Sequence, residues 1–173
     1  MHRDSPSRPK SRSTRRRNEE RELHGGFRVH IRTAQTKAVL AVNSELIALY
    51  FDVGRLLVEK QDTLKWGDAV VTQLARDLKA EFPQLTGFSR SKLFEMRQFY
   101  LAYRDCGPIV PQAVGQIPWG HNILLLEKLK DTGQRLWYAG QTVENGWSRA
   151  VLAYQIETDL YTRQTSELKS HNF

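Results

Sequence analysis

Residues 68–103 read DAVVTQLARDLKAEFPQLTGFSRSKLFEMRQFYLAY, and the clearest signals for secondary structure lie here. Apolar residues recur at helical spacing on both sides of a break at residues 82–89. They are Val70, Val71, Leu74, Leu78 and Phe82 in the first half, and Leu93, Met96, Tyr100 and Tyr103 in the second. Pro83 ends the first helix and Ser89 caps the next. The sequence therefore predicts two amphipathic helices that pack on each other or on a third helix.

The second helix of this pair opens with a basic and polar turn, Ser89-Arg90-Ser91-Lys92, and Gln98 follows further along. Basic groups are unfavourable at the positive end of a helix dipole, so a nearby phosphate would compensate them. This layout is typical of a helix whose first turn reads the DNA major groove. A helix-turn-helix usually has a turn of three or four residues, and this connection is longer. An ordinary antiparallel pair with a solvated polar face therefore stays open.

A long helix is predicted upstream, over residues 28–60, after a break at Gly25-Gly26. Its apolar residues step by three or four positions, namely Val39, Val42, Leu46, Leu49, Val53 and Leu57. The outer face is expected to be charged, with Arg32, Lys37, Glu45, Asp52, Arg55, Glu59 and Lys60. Gly54 marks a place where another helix could approach closely. We expect this helix to be the scaffold for the shorter ones.

The remainder of the chain predicts a loop and then shorter helices. Residues 106–112 cannot form regular helix, and the loop may be expected to reach residue 117. Helices follow at residues 123–129, through Leu136 and Val143, and from Ser148 to about Arg163. No stretch shows convincing period-2 alternation with turn signals. The predicted fold class is all-α, a multi-helix domain built on one long N-terminal helix with a helix-turn-helix-like pair.

The charge of the chain is concentrated at its N-terminus. Of the formal net charge of +7, residues 1–17 carry seven basic groups and one acidic group, which leaves about +1 for the rest. This Ser/Arg/Pro segment has too few apolar residues to fold, so a disordered basic tail is expected over residues 1–26. Its arginines Arg15, Arg16 and Arg17 could neutralise DNA phosphates without sequence specificity. A solvated solubility tail is the equal alternative.

Clustered motifs in the second half of the chain carry a family resemblance. They are Gln116-Ile117-Pro118-Trp119-Gly120-His121-Asn122, Trp137-Tyr138-Ala139 and Gly146-Trp147-Ser148-Arg149. Upstream residues fit in the same order, including Tyr50, Gly54, Trp66-Gly67, Phe82-Pro83, Gly87-Phe88-Ser89, Met96-Arg97 and Phe99-Tyr100. Together they cover about residues 28–173, and this part resembles the N-terminal domain of the YhcG-like family of bacterial proteins.

The resemblance implies a helical, DNA-binding domain over residues 27–165. In that family a nuclease domain of the PD-(D/E)XK type follows, and residues 166–173 would be a tail or the start of a linker to it. The family's catalytic acids then have no matching position here, and we expect no enzymatic activity from this chain. Asp159 with Glu167-Leu168-Lys169 imitates such a site but lacks the strands that would hold the ligands.

Other chemistry has little support in the sequence. One cysteine, Cys106, excludes an internal disulfide and a cysteine-based zinc site. The five histidines lack metal-ligand spacing, and no cofactor is expected. His121 could contact a phosphate or act as an acid or base. The plainer interpretation is that His121 or Asn122 caps the following helix while Trp119 fills the core.

Two functions remain. The first is a DNA-binding module that uses Arg90, Ser91, Lys92, Arg97, Gln98 and Arg149, together with the N-terminal arginines. The second is a protein-interaction or oligomerisation module that recruits or regulates a nuclease partner, because so long a helix exceeds what one small domain usually covers. Without a segment that could cross a bilayer or serve as a signal peptide, the expected location is the cytoplasm, with no membrane partner.

Overall fold

The computed structural model describes residues 12–65, 67–107 and 112–170, and these residues form helices without any strand. In chain order the helices are α1 Arg12–Leu64, α2 Asp68–Glu81, α3 Arg90–Tyr103, α4 Gln112–Gln116, α5 Trp119–Lys128, α6 Thr132–Asn145, α7 Arg149–Glu157 and α8 Leu160–Ser170. A 3₁₀ turn, Arg104–Cys106, follows α3. The all-α prediction is confirmed, as are the long first helix and the α2–α3 pair.

The chain divides into two compact units, residues 1–39 and residues 40–173. In the first unit, α1 begins at Arg12, so the predicted start near residue 28 and the break at Gly25-Gly26 were wrong. A glycine costs a helix about 1 kcal/mol, which does not forbid helix on its own. Arg15 pairs with Glu19 one turn later at 3.3 Å, which supports the helix locally. Residues 1–11 of the predicted tail lie outside the described part.

The second unit contains two clusters of buried side chains. One joins α1, α2 and α3 through Tyr50, Leu57, Val71, Leu93 and Met96. The other joins α1 and α3 to the later helices through Ile47, Phe51, Phe99, Tyr103, Val114, Ile117, Leu124, Leu125, Tyr138, Ala139 and Leu152. Trp119 packs against both clusters, as the sequence predicted. Trp137 and Trp147 also pack against the core.

Helix α1 crosses α3 at Gly54. A Cβ atom built there would lie 2.2 Å from the Met96 carbonyl oxygen and 2.9 Å from the Tyr100 Cβ. Only glycine lets the two backbones approach this closely, so the sequence correctly marked Gly54 as a crossing point. The contact fixes the position of α3, the helix on which the DNA hypothesis depends.

The apolar face of α1 is the largest departure from the sequence prediction. The residues that reach the core from this helix are Ile47, Tyr50, Phe51, Leu57 and Val58. A second apolar row lies on the adjacent side, and we call it the α1 seam: Val42, Leu46, Leu49, Val53 and Leu56. All of its members are exposed except Val53, which is half-buried. The sequence placed Val39, Val42, Leu46, Leu49, Val53 and Leu57 on the inner side of this helix, but only Leu57 is buried and Val53 half-buried, so most of the predicted core row is exposed.

Later boundaries also differ from the prediction. Helix α4 occupies residues 112–116, where a loop was expected, while residues 108–111 of that loop lie outside the described part. The predicted helix from Ser148 to about Arg163 is broken into α7 and α8 at Asp159, whose φ is 50°. The Tyr138 hydroxyl donates to Gln155 O at 3.2 Å and accepts from Tyr161 N at 3.1 Å. This phenol on α6 ties the two helices at their break.

Candidate nucleic-acid interface

The pair formed by α2 and α3 has the ends that its sequence dictates. Helix α2 begins after Gly67 with Asp68 in its first turn, where a carboxylate is favoured by the helix dipole. It ends at Glu81 with Phe82 as its C-cap, because the next residue is Pro83, which has no N–H to continue the helix. Ser89 caps α3, and its Oγ accepts from the Lys92 amide at 3.4 Å. The connection from residue 82 to 89 is as long as the sequence indicated.

Helix α3 has one fully buried side and one open side. Leu93, Met96, Phe99 and Tyr103 have no exposed surface, and their spacing of three and four residues marks the buried side. Arg90, Ser91 and Gln98 are exposed. Residues seven positions apart lie about two turns apart on the same side of a helix. Arg90 with Arg97, and Ser91 with Gln98, therefore form two neighbouring rows on the open side.

Arg90 is held in place by two contacts from different helices. Its Nε donates to Thr72 Oγ1 on α2 at 2.9 Å. Its guanidinium carbon lies 4.7 Å from the centre of the Phe94 ring, one turn along α3. A cation over an aromatic face is stabilised by the ring quadrupole. The side chain is thus preorganised, and the hydrogen bond uses Nε rather than the two terminal nitrogens that could clasp a phosphate.

Lys92 lies on a different side of α3 from Arg90, since two residues correspond to about 200° of helix rotation. Its Nζ is 2.7 Å from Glu95 Oε2, and the same oxygen accepts from Trp119 Nε1 at 3.1 Å. Burial raises the pKa of the Tyr50 hydroxyl, and the nearby Lys92 charge partly opposes that effect. The ammonium is therefore engaged with the side of α3 that meets α1 and α5, and its charge is largely offset there.

The remaining candidates on the second unit separate into two groups. Gln98 is exposed beside Ser91, whereas Arg97 is half-buried and its Nε is buried without a partner in the described part of the chain. Arg149 lies in the first turn of α7, and its Nε donates to Gly120 O at the start of α5 at 3.2 Å. Its contacts therefore lead to α5 and not to α3.

His121 and Asn122 do not cap α5, so that prediction was wrong. The helix begins after Pro118, and no side chain caps it. The His121 Nε2 lies 3.0 Å from Trp147 O and must donate, because a carbonyl oxygen only accepts. Asn122 is fully buried and donates to Val114 O at 2.9 Å. Both side chains connect α5 to neighbouring segments. They make these tertiary hydrogen bonds and do not cap the helix.

The candidate arginines Arg15, Arg16 and Arg17 of the first unit are exposed. Arg15 is paired with Glu19, and Arg16 and Arg17 lie beside it on α1. Sequence reasoning missed the residues that position the open side of α3, because Thr72 carries no local signal. Phe94 could have been found, since it lies four residues after Arg90 and so on the same helix side. Glu95 and Trp119 meet only through the tertiary fold.

Among residues 12–65, 67–107 and 112–170, no group of three His, Cys, Asp or Glu side chains is placed to hold a metal ion. Within the same part of the chain, no helix combines the length and the apolar character needed to cross a membrane.

Comparison with known proteins gives one family and one curated relative. The profile described as the DUF1016 N-terminal domain matches residues 27–163. A protein of Escherichia coli (strain K12), named "Putative nuclease YhcG", is 25% identical over 173 aligned positions, which cover 82% of this chain and 46% of that protein. The chain thus spans less than half the length of this relative. No solved structure matches.

Proposed function

The chain belongs to the DUF1016 N-terminal domain family, and on that premise we propose that it is a DNA-binding module associated with a nuclease. The observation that carries the proposal is the open side of α3, where Arg90, Ser91 and Gln98 are exposed on a helix fixed by the Gly54 crossing. The relative's name describes a nuclease, whose substrate is nucleic acid. A helix fixed on its core side and polar on its free side suits insertion into a major groove.

Each candidate has a distinct role in this proposal. Arg90 offers its terminal nitrogens to a phosphate or to a guanine edge, and Ser91 and Gln98 offer hydrogen bonds to base edges or phosphates. Arg97 and Arg149 are secondary phosphate contacts. Lys92 contributes less than Arg90, because Glu95 already offsets its charge. The arginines of the first unit add salt-sensitive affinity without specificity.

The experiment is a fluorescence-anisotropy titration of the whole chain with mixed-sequence duplex DNA at two salt concentrations. Arg90→Gln combined with Gln98→Ala is compared with Lys130→Gln, which removes one exposed charge between α5 and α6. We expect the first variant to bind more weakly and to lose about one unit of salt slope, and the control to bind like the parent. Equal affinities of parent and first variant in about 200 mM salt would refute the proposal.

A second titration separates the α3 contribution from that of the first unit. Arg15, Arg16 and Arg17 are changed together to Gln, which removes three charges from α1 without touching α3. If α3 carries the contact, this variant loses affinity equally for all sequences, and the loss fades as salt rises. Loss of all binding at every salt concentration would instead assign the DNA contact to the first unit.

We further propose that this chain contributes binding and no catalytic group. The resemblance assigns the nuclease acids to a second domain, and none of residues 1–173 matches them. The purified protein with Mg²⁺ should leave supercoiled and linear DNA intact, while a relative that carries the second domain cleaves it. Cleavage that co-purifies with this chain and is lost in one of its acidic variants would contradict the assignment.

A second candidate function is protein interaction or oligomerisation that recruits or regulates a nuclease partner. The observation that favours it is the exposed α1 seam of the second unit. A contiguous exposed apolar patch on a folded protein is typical of an interaction site. This function is compatible with DNA binding, because the seam and the open side of α3 are formed by different residues.

A further inference from the structure

The α1 seam has the spacing of a coiled-coil interface. Its five members follow one another at intervals of four, three, four and three residues. These intervals are those of alternating heptad positions d and a, which face a partner helix. Val42 is 67% exposed, Leu49 47% and Leu56 48%, so the described residues leave the row uncovered. On the adjacent side of the same helix, Ile47, Tyr50 and Leu57 are buried in the core. Helix α1 thus has two apolar sides, and its own fold buries only one of them.

The border of the seam is acidic. Glu45, Asp52 and Glu59 repeat every seven residues, at the heptad position that flanks a coiled-coil interface. Arg55 lies 3.4 Å from Asp52 and 3.1 Å from Glu59 and offsets part of this charge. Residues 40–64 contain four acidic and two basic side chains. The occupant that fits is a helix with an apolar row and a basic character.

The first unit supplies a helix of this kind. Its described side chains are all exposed, and Leu23, Phe27 and Ile31 recur every four residues with exposures of 64%, 61% and 56%. Residues 12–39 contain eight basic and three acidic side chains. This segment therefore has an uncovered apolar row and a positive charge, which complement the uncovered apolar row and negative charge of the seam.

We propose that the α1 seam is covered by residues 12–39 of a second copy of this chain, in an antiparallel arrangement. A two-fold axis makes the contact reciprocal, so each copy offers its first unit and receives the other's. Parallel in-register pairing would place basic segment on basic segment and acidic border on acidic border. The antiparallel arrangement pairs opposite charges and covers both apolar rows. The inference names the partner for the interaction function and does not depend on DNA binding.

The test is sedimentation of the whole chain across micromolar concentrations without DNA. The parent is expected to self-associate to a dimer. Leu49→Glu places a carboxylate at the centre of the interface and should weaken the dimer about 30-fold or more. Val151→Glu is the matched control, because Val151 is 40% exposed on α7, outside the seam. A monomeric parent, or a dimer unaffected by Leu49→Glu, would overturn the proposal.

Charge reversal tests the orientation and does not depend on an apolar substitution. Asp52→Lys with Glu59→Lys, or Arg21→Glu with Arg28→Glu, should each weaken the dimer by about tenfold at low salt. All four changes in one chain should restore much of the affinity, because the two segments again carry opposite charges. A combined variant no better than either pair would overturn the antiparallel arrangement. A monomeric parent whose DNA binding is weakened by Arg90→Gln with Gln98→Ala, but not by Lys130→Gln, would overturn the dimer and leave the DNA function standing. A dimer whose DNA affinity is the same in all of these variants would refute the DNA function and leave the dimer standing.

Discussion

Replacing Gly54 with alanine tests the helix crossing on which the position of α3 depends. Helix propensity alone predicts that this change stabilises α1 by about 1 kcal/mol. The structure predicts the opposite sign, because the new Cβ would lie 2.2 Å from the Met96 carbonyl oxygen and 2.8 Å from its carbon. A carbon and an oxygen need about 3.3 Å, so α3 would have to move by about 1 Å.

The magnitude follows from what has to move. The obstacle at Gly54 is backbone, which cannot rotate aside as a side chain can, so the cost lies near the upper end of the roughly 1–3 kcal/mol seen for overpacked cores. After subtracting about 1 kcal/mol of gained helix propensity, the net loss is about 2 kcal/mol. For a chain of this size that lowers the midpoint of thermal unfolding by about 4–8 °C.

Thermal and urea unfolding followed by circular dichroism and tryptophan fluorescence measure this loss. The matched control is Gly140→Ala on α6, where a Cβ would meet nothing within 4 Å. That change should raise stability by about 1 kcal/mol through helix propensity alone. The two variants are therefore expected to shift in opposite directions. If Gly54→Ala stabilised the protein as much as Gly140→Ala does, the crossing of α1 and α3 would be refuted.

Three further predictions concern single side chains. Burial raises the pKa of Tyr103 to about 12, so the free energy of unfolding should fall by about 2 kcal/mol between pH 10 and pH 12 relative to Tyr103→Phe, a difference measured by urea unfolding. Asp131→Ala should cost about 1 kcal/mol in the same assay, because its carboxylate caps α6 by accepting from Gln134 N at 2.7 Å. Trp119→Phe should cost about 2 kcal/mol, since it removes the donor to Glu95 and leaves a gap between the two clusters.

The sign of the Tyr103 prediction follows because the fold buries the hydroxyl and so favours its neutral, protonated form. The folded pKa lies above the ordinary value near 10, so the stabilising difference is fully present below about pH 10 and is lost as the pH rises through the folded pKa. A constant stability difference between parent and Tyr103→Phe across that range would contradict it. If Asp131→Ala left the stability unchanged, the capping role of Asp131 would be contradicted. The control for Trp119→Phe is Trp137→Phe, for which no side-chain hydrogen bond is expected to be lost.

Local sequence predicted those elements whose signals are themselves local. Pro83 and Ser89 set the break between α2 and α3, because one removes an amide donor and the other supplies a cap. Gly146 ends α6 in the left-handed conformation, and Ser148 caps α7 as expected. Each of these signals acts within a few residues, so neighbouring sequence is enough to identify it.

The burial direction of α1 could not be predicted in this way. A row of apolar residues at helical spacing indicates a helix, but this helix has apolar residues on two sides. Choosing the core side requires knowing where α3 crosses, which depends on Gly54 meeting a backbone 42 positions later. The break at Asp159 was hidden for a related reason, because it depends on the Tyr138 hydroxyl, which comes from another helix.

The candidate site was predictable in part. The order of residues along α3 predicted its polar first turn, and helix geometry alone could have shown that Arg90 and Lys92 diverge. Glu95, the acceptor for Lys92, lies one helical turn later in the sequence and could have been identified. Trp119, the second donor to the same oxygen, lies 24 positions later and is brought there only by the tertiary fold. The function of the site remains a proposal that the titrations above decide.

A single hydroxyl group, that of Tyr138, affects the direction of the whole of α8 because it binds at the break between α7 and α8. Helix α8 is 11 residues long, which corresponds to an arm of about 16 Å. The Tyr138 hydroxyl holds the pivot of that arm from a separate helix. By simple leverage, a rotation of about 20° at the pivot would carry the far end of the arm through about 6 Å. The direction of α8 thus depends on a residue of α6 that lies more than twenty positions earlier in the chain.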